Sequence, residues 1–297
     1  MQTATLTAAL PFVVLGSAWA QGSPVAEGAM PEVAASGFAF TEGPACDADG
    51  AVAFTDQPND RILRWTAEDG VTVLLEPSGR SNGLCYDDEG NLWACTDERN
   101  EMWIIRPDGS HSVVISGYGG KLLNGPNDVW LAPEGGAYFT DPYYERDYWD
   151  RGPMEQETQG VYWLPPGERE PVLADGDLVQ SNGIIGAPDG RTLYVADIGA
   201  GRTYAYDIGV DGALVNKRLF CEMGSDGMTV DDEGNVYLTG KGVTAFNRDG
   251  EQVAHIAIPE PWTANVCFGG PDRRTLFITA GERVYTLAMR TRGVGSQ

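Results

Sequence analysis

Positive charge is scarce in this chain: 20 Lys and Arg stand against 43 Asp and Glu, a formal net charge of −23. That balance repels phosphate backbones and anionic lipid surfaces, which argues against nucleic acid and acidic membrane as partners and suits a surface that attracts cations. Histidine is nearly missing as well. His111 and His255 are the only two. Both fall in runs read as outer strands, and no G-x-S-x-G elbow occurs, so a serine hydrolase has little support. The five cysteines, Cys46, Cys85, Cys95, Cys221 and Cys267, show no C-x-x-C spacing and, being odd in number, cannot all pair within one chain. They read as small apolar core residues rather than zinc or redox ligands. Gly199-Ala200-Gly201 lacks the strand-to-helix setting of a nucleotide loop.

Long apolar runs are absent too, and the nearest approach to one lies in the first twenty residues. These carry no charged side chain and pass through Leu10-Pro11-Phe12-Val13-Val14-Leu15 to Ala18-Trp19-Ala20. The run is short for a spanning helix and ends in an A-x-A cleavage pattern before Gln21, although the usual Lys or Arg at the start is missing. The expectation is an exported protein, periplasmic or secreted, with 1–20 as signal peptide, 21–31 as linker and no membrane insertion after cleavage.

What the chain has in quantity is turn residues, with 39 Gly and 18 Pro among 297 residues. They punctuate a pattern that recurs six times: a polar residue, a short apolar strand, a turn rich in Asp and Gly, and a second β-rich strand. The copies begin at Glu42 (EGPACDADGAVAFTD), Asn82 (NGLCYDDEGNLWACT), Asn127 (NDVWLAPEGGAYFTD), Asn182 (NGIIGAPDGRTLYVAD), Asp226 (DGMTVDDEGNVYLTG) and Asn265 (NVCFGGPDRRTLFITA), at intervals of 40, 45, 55, 44 and 39 residues. That spacing suits four-stranded propeller blades, and further strand-like runs such as Arg61–Trp65 and Val71–Glu76 fill each interval. The sixth copy is one strand short, so a segment near Glu32–Gly37 is expected to complete it. The fold class expected is all-β, a six-bladed β-propeller over residues 32–297 with its ring closed by an N-terminal strand. The Asp-Gly turns are hairpin turns; Asp47-Ala48-Asp49-Gly50 opens like an EF-hand loop, but its twelfth position is Pro58.

In a propeller the innermost strands face the central channel, so the repeat openings, read as Glu, Asn, Asn, Asn, Asp, Asn, converge at one place. Six oxygen-bearing side chains, two of them carboxylates, suit one hard divalent cation. Asparagines that cap strand starts through backbone hydrogen bonds would explain the four amides. They would not explain two carboxylates brought together, whose repulsion a cation relieves.

These segments resemble the SMP-30/gluconolactonase/luciferin-regenerating-enzyme family over essentially everything after the leader. The resemblance is carried by FTEGPACDADG with FTDQPNDRILRW, SNGLCYDDEGNLW, LNGPNDVW with YFTDP, SNGIIGAPDGRTLYVAD, DGMTVDDEGNVYLT and FGGPDRRTLFITAGERVYTL. It implies a propeller that hydrolyses a small lactone with one channel-bound divalent ion, Ca²⁺ before Zn²⁺, Mn²⁺ or Mg²⁺, held by Glu42, Asn127, Asn182 and Asp226. Two positions depart from the family pattern. Many bacterial relatives read Cys-Glu-His where this chain has Cys95-Thr96-Asp97, and Gly125 stands where the animal branch has an arginine. Contacts to a sugar lactone are therefore not carried across.

Four protein ligands leave room in a calcium shell of about 6–8 oxygens for water and a substrate carbonyl, which the ion polarises. Asp226 is the candidate general base, with Glu42, Asp128 and Asp141 as alternatives. The stretch from Asp141 to Gly160 is long for a hairpin loop and carries Tyr143, Tyr144, Tyr148 and Trp149. With Trp262 and Asn82 it offers a substrate wall; a packed surface loop is the equal alternative. The rival functions are a calcium-dependent phosphotriesterase or esterase on the same scaffold and a non-catalytic ligand-binding propeller.

Overall fold

The structure, a computed structural model, describes residues 22–146, 149 and 152–294. The expected signal peptide and Tyr148 lie outside these residues. Among the described residues the chain forms six four-stranded sheets, all antiparallel, with two 3₁₀ turns, Gln57–Asn59 and Asp97–Arg99, as the only helical segments. No helix among the described residues is long and apolar enough to cross a membrane.

The innermost strands are Thr41–Cys46, Ser81–Tyr86, Val129–Leu131, Ser181–Gly186, Met228–Val230 and Asn265–Gly269. Each contacts the inner strands of the blades on both sides, which closes the ring. Blades one to five are sequential meanders, whereas blade six is assembled from both ends of the chain: Glu32–Ser36 pairs with Arg283–Ala288, placing Glu32 opposite Thr286 and Ser36 opposite Arg283. The expected closing strand is thus present and forms the outer edge of the last blade.

The wedges between blades are filled by side chains that alternate along the strands. Between blades one and six, the Phe277 ring lies 5.5 Å from Phe54 and 5.2 Å from Trp65, and Cys46 and Cys267 fill the same cluster. All five cysteines are buried and unpaired, and burial pushes the Cys46 thiol up to about 11, as expected of an inert core thiol. Both histidines lie on outermost strands, His111 stacked on Trp103 at 3.9 Å and His255 3.0 Å from Thr244 Oγ1.

The Asp-Gly hairpins consume their own carboxylates. Asp47 Oδ1 accepts the N–H groups of Asp49 (3.0 Å) and Ala51 (2.9 Å), and Asp231 Oδ1 those of Glu233 (3.0 Å) and Asn235 (2.8 Å). These local bonds stabilise the turns and leave no calcium loop. The hairpins lie at the end of the channel opposite the polar residues that open the inner strands.

Candidate active site

Close approach of the inner strands depends on the glycine that follows the ring residue in four blades, Gly43, Gly83, Gly183 and Gly227. A Cβ on Gly43 would lie 1.9 Å from the Asn82 carbonyl oxygen, one on Gly83 2.5 Å from that of Asn127, and one on Gly183 2.4 Å from that of Asp226. Without the side chain the strands approach closely enough for the Gly83 N–H to donate to the Asn127 carbonyl at 2.7 Å and the Gly227 N–H to that of Ala264 at 2.7 Å. This packing gathers the residues preceding the glycines around one channel mouth.

The hydrogen bonds correct the repeat by one residue in blade six. A threonine on the second strand marks the register: its Oγ1 accepts the N–H of Asp128 in blade three (3.1 Å), of Gly227 in blade five (3.0 Å) and of Asn265 in blade six (3.0 Å). Asn265 is therefore the counterpart of Asp128, and the sixth ring position is Ala264, whose N–H donates to the Thr279 carbonyl as that of Asn127 donates to Thr140, both at 2.9 Å. The ring is thus Glu42, Asn82, Asn127, Asn182, Asp226 and Ala264. Asp128 and Asn265 form a second tier beneath it, each folding a side-chain oxygen back to the next N–H, Val129 at 3.0 Å and Val266 at 2.8 Å.

Charge is concentrated here with little to neutralise it. Glu42 is buried; its Oε2 accepts the Gly43 N–H at 2.6 Å and the Asn265 amide at 3.2 Å. Desolvation, then repulsion from Asp226 and Asp128, hold its carboxyl well above the usual range. Asp128 is pushed up to about 7, chiefly by burial, against hydrogen bonds from the Val129 and Ile184 backbone. Asp226 is half-buried, and burial raises it despite hydrogen bonds from Trp262 and Asn182 and the positive field of Arg146.

The remaining candidates separate clearly. Tyr144 and Trp262 reach the ring: the Asn182 amide donates to Tyr144 Oη at 2.8 Å, and Trp262 Nε1 donates to Asp226 Oδ2 at 2.6 Å. Tyr143 turns away, its backbone held by Gln159 at 2.8 Å and its ring 5.9 Å from that of Trp149, so this pair packs within its own loop. Asn82 is buried in the ring and its carbonyl accepts Thr55 Oγ1 at 3.2 Å. Asp141 is fully buried and its two oxygens accept the N–H groups of Asn124 and Gly125, each at 2.8 Å, which makes it a loop anchor instead of a base. Arg146 escaped the sequence reading because it sits in an insertion with no repeat counterpart.

Below the second tier Leu84, Ile184, Met228 and Val266 close the channel around a cavity of about 20 Å³, room for roughly one water. The site therefore opens at one end. Two larger surface grooves, about 450 and 420 Å³, flank Asp87 and Asp88 at the hairpin end and contain none of the ring residues.

Among the described residues no three His, Cys, Asp or Glu side chains form a metal-holding cluster, so a cation here would rest on two carboxylates supplemented by amide oxygens. That donor set is all hard oxygen, and repulsion between Glu42 and Asp226 is what a bound cation would remove. The residues fit such an ion.

A closed six-bladed propeller with an acidic, oxygen-rich ring at one end of its channel defines the class. The chain belongs to the SMP-30/Gluconolactonase/LRE-like family, whose model matches residues 40–282. It is similar to a gluconolactonase of Zymomonas mobilis, with 30% identity over 88% of this chain and 82% of that one. Among solved structures, a gluconolactonase of Xanthomonas campestris superimposes with a TM-score of 0.83 at 31% identity, covering 90% of this chain and 91% of that one. A calcium-binding regucalcin of Agrobacterium tumefaciens shares the fold, with a TM-score of 0.76 at 19% identity over 89% of this chain and 95% of that one.

Proposed function

We infer that this chain is a lactonase that opens its substrate at the ring of Glu42, Asn127, Asn182 and Asp226, loaded with one divalent cation, Ca²⁺ first among hard ions. The observation that carries the metal is the meeting of the Glu42 and Asp226 carboxylates, where among the described residues Arg146 is the cation that acts on Asp226. The observation that carries the lactone is family membership together with similarity to gluconolactonases over most of the chain. When bound, the ion would polarise the ester carbonyl and stabilise the negative charge that develops on its oxygen.

The chain's own residues do the rest. Asp226 takes a proton from the attacking water through the oxygen not held by Trp262. Tyr144 keeps its proton, because burial and then the Asp226 charge raise its phenol. It accepts from Asn182, so its O–H remains a donor for a substrate oxygen. The apolar channel floor confines water to the open mouth. Export to the periplasm or medium, from the A-x-A pattern, belongs to the same proposal.

The test combines metal titration of chelator-treated protein with a panel of lactones, phosphotriesters and aryl esters. Lactone turnover restored by Ca²⁺ and lowered by roughly 10²-fold in Asp226→Asn is the expected result, the size of a lost general base. Metal-independent turnover, or Asp226→Asn turnover equal to the parent at saturating metal, would overturn the mechanism. Phosphotriester preference would move the assignment to that esterase class.

A further inference from the structure

Among the described residues Arg146 is the cation whose charge acts on Asp226 at the channel mouth, and nothing in the hydrolytic scheme uses it. It lies in the insertion between the strands Ala137–Thr140 and Val161–Leu164. Its side chain is 25% exposed, and its Nε is buried without a hydrogen-bond partner among the described residues. The acid facing it, Asp97 Oδ2, is 3.6 Å away, too long for a hydrogen bond, and that oxygen already accepts Gln57 Nε2 at 3.0 Å. On its other side the guanidinium carbon sits 4.9 Å from the centre of the Tyr144 ring. Tyr144 in turn bonds Asn182, and the Arg146 charge is felt at Asp226. A planar donor fork is thus braced between blade two and the ring, one side chain away from two proposed ligands.

Local charge decides what that fork takes. Arg146 is already paired with Asp97 and acts on Asp226, and Glu42 and Asp128 add further carboxylates at the ring, so a carboxylate or phosphate on the substrate would meet repulsion. Uncharged hydroxyl oxygens would not, and a guanidinium can engage two of them at once.

We propose that Arg146 is the specificity-determining residue of this site, gripping vicinal hydroxyls of an uncharged, polyhydroxylated lactone whose carbonyl sits at the ring, with Asp97 and Gln57 as its positioning residues. This rests on the lactonase reading. The test separates the two with a binding arm that needs no turnover. The full chain, with Ca²⁺, is titrated calorimetrically with glucitol, and the kinetic constants for an aldono-1,5-lactone are compared with those for unsubstituted δ-valerolactone.

Arg146→Met is expected to weaken glucitol binding about tenfold or more, the scale of a lost hydrogen bond to a charged group. It should raise KM for the hydroxylated lactone several-fold more than that for δ-valerolactone, which makes no hydroxyl contact and feels the change only through Asp226 and Tyr144. Arg146→Lys, which keeps the charge but not the fork, should recover part of the loss, and Asp97→Asn should shift the same KM in the same direction. Equal losses on both lactones, or none on either, would overturn the assignment. Glucitol binding that depends on Arg146 in a protein opening neither lactone would sink the lactonase reading and leave the hydroxyl grip standing.

Discussion

Replacing Gly227 by alanine tests how the two tiers of the channel are locked together. The backbone there is not in the left-handed region, so an alanine is free of backbone strain, but its Cβ would fall 1.8 Å from Asn265 Cγ and 1.9 Å from its Oδ1. Something must move, and the Asn265 amide is the movable party. Displacing it breaks the 2.8 Å bond from the Val266 N–H and the 3.2 Å bond to the Glu42 carboxylate. Overpacking costs about 1–3 kcal/mol, and losing a hydrogen bond to a buried charge costs about as much again, for a total of about 2–6 kcal/mol. At roughly 2 °C per kcal/mol for a chain of this size, the melting temperature should fall by about 4–12 °C. A double-mutant cycle with Asn265→Ala supplies the control. The smaller side chain vacates the contested space, so the second methyl should cost far less in that background, with a coupling of about 1–3 kcal/mol. Denaturant unfolding of the four proteins measures it. Additive single effects would refute the contact between Gly227 and Asn265, and with it the corrected register of blade six.

Asn127→Ala and Asn182→Ala should each weaken Ca²⁺ binding at least about tenfold in calorimetric titration, while Asn82→Ala changes it by less than about threefold; equal losses in all three would contradict the four-ligand arrangement. Asp175 accepts from Lys217 and Tyr206 at 2.7 and 2.6 Å, and its carboxyl lies below the usual range because those hydrogen bonds outweigh its desolvation. A depressed carboxyl adds stability above its unfolded value that disappears as pH falls through its folded value, so Asp175→Asn should lose stability near neutrality and little in strong acid, which melting curves across that range will show. Intact-mass spectrometry of the exported protein should find Gln21 at its N-terminus; a product starting at Met1 would contradict cleavage after Ala20.

The sequence exposed the architecture because each blade repeats the same physical necessities: a polar residue at the mouth, usually a glycine where strands crowd, and an Asp-Gly hairpin at the far end. The same regularity misled at Asn265. A polar residue was expected at every ring position, and the true position is Ala264. Only the threonine hydrogen bonds, made across strands, fix that register. Asp141 looked available as a base because its consumption by the Asn124 and Gly125 amides is a long-range loop contact. Tyr144 and Trp262 were legible as aromatic candidates near a mouth, but their role as hydrogen-bond partners of Asn182 and Asp226 comes from folding. Arg146 gave no signal at all, since an insertion has no sister repeats against which to compare it.

Blade six joins the two ends of the chain, and the seam it makes with blade one runs through the site itself: Glu42 belongs to the first blade, while the amide that steadies its carboxylate, Asn265, belongs to the last. During synthesis the first five blades can emerge and condense one after another, yet Glu42 lacks that amide partner until some 220 residues later in the sequence have been made. Competence to bind an ion should therefore appear abruptly, at ring closure, rather than grow blade by blade. A circular permutant that joins the native ends and opens the ring between blades two and three would move the seam away from Glu42, letting the carboxylate and its amide meet within one uninterrupted stretch of chain.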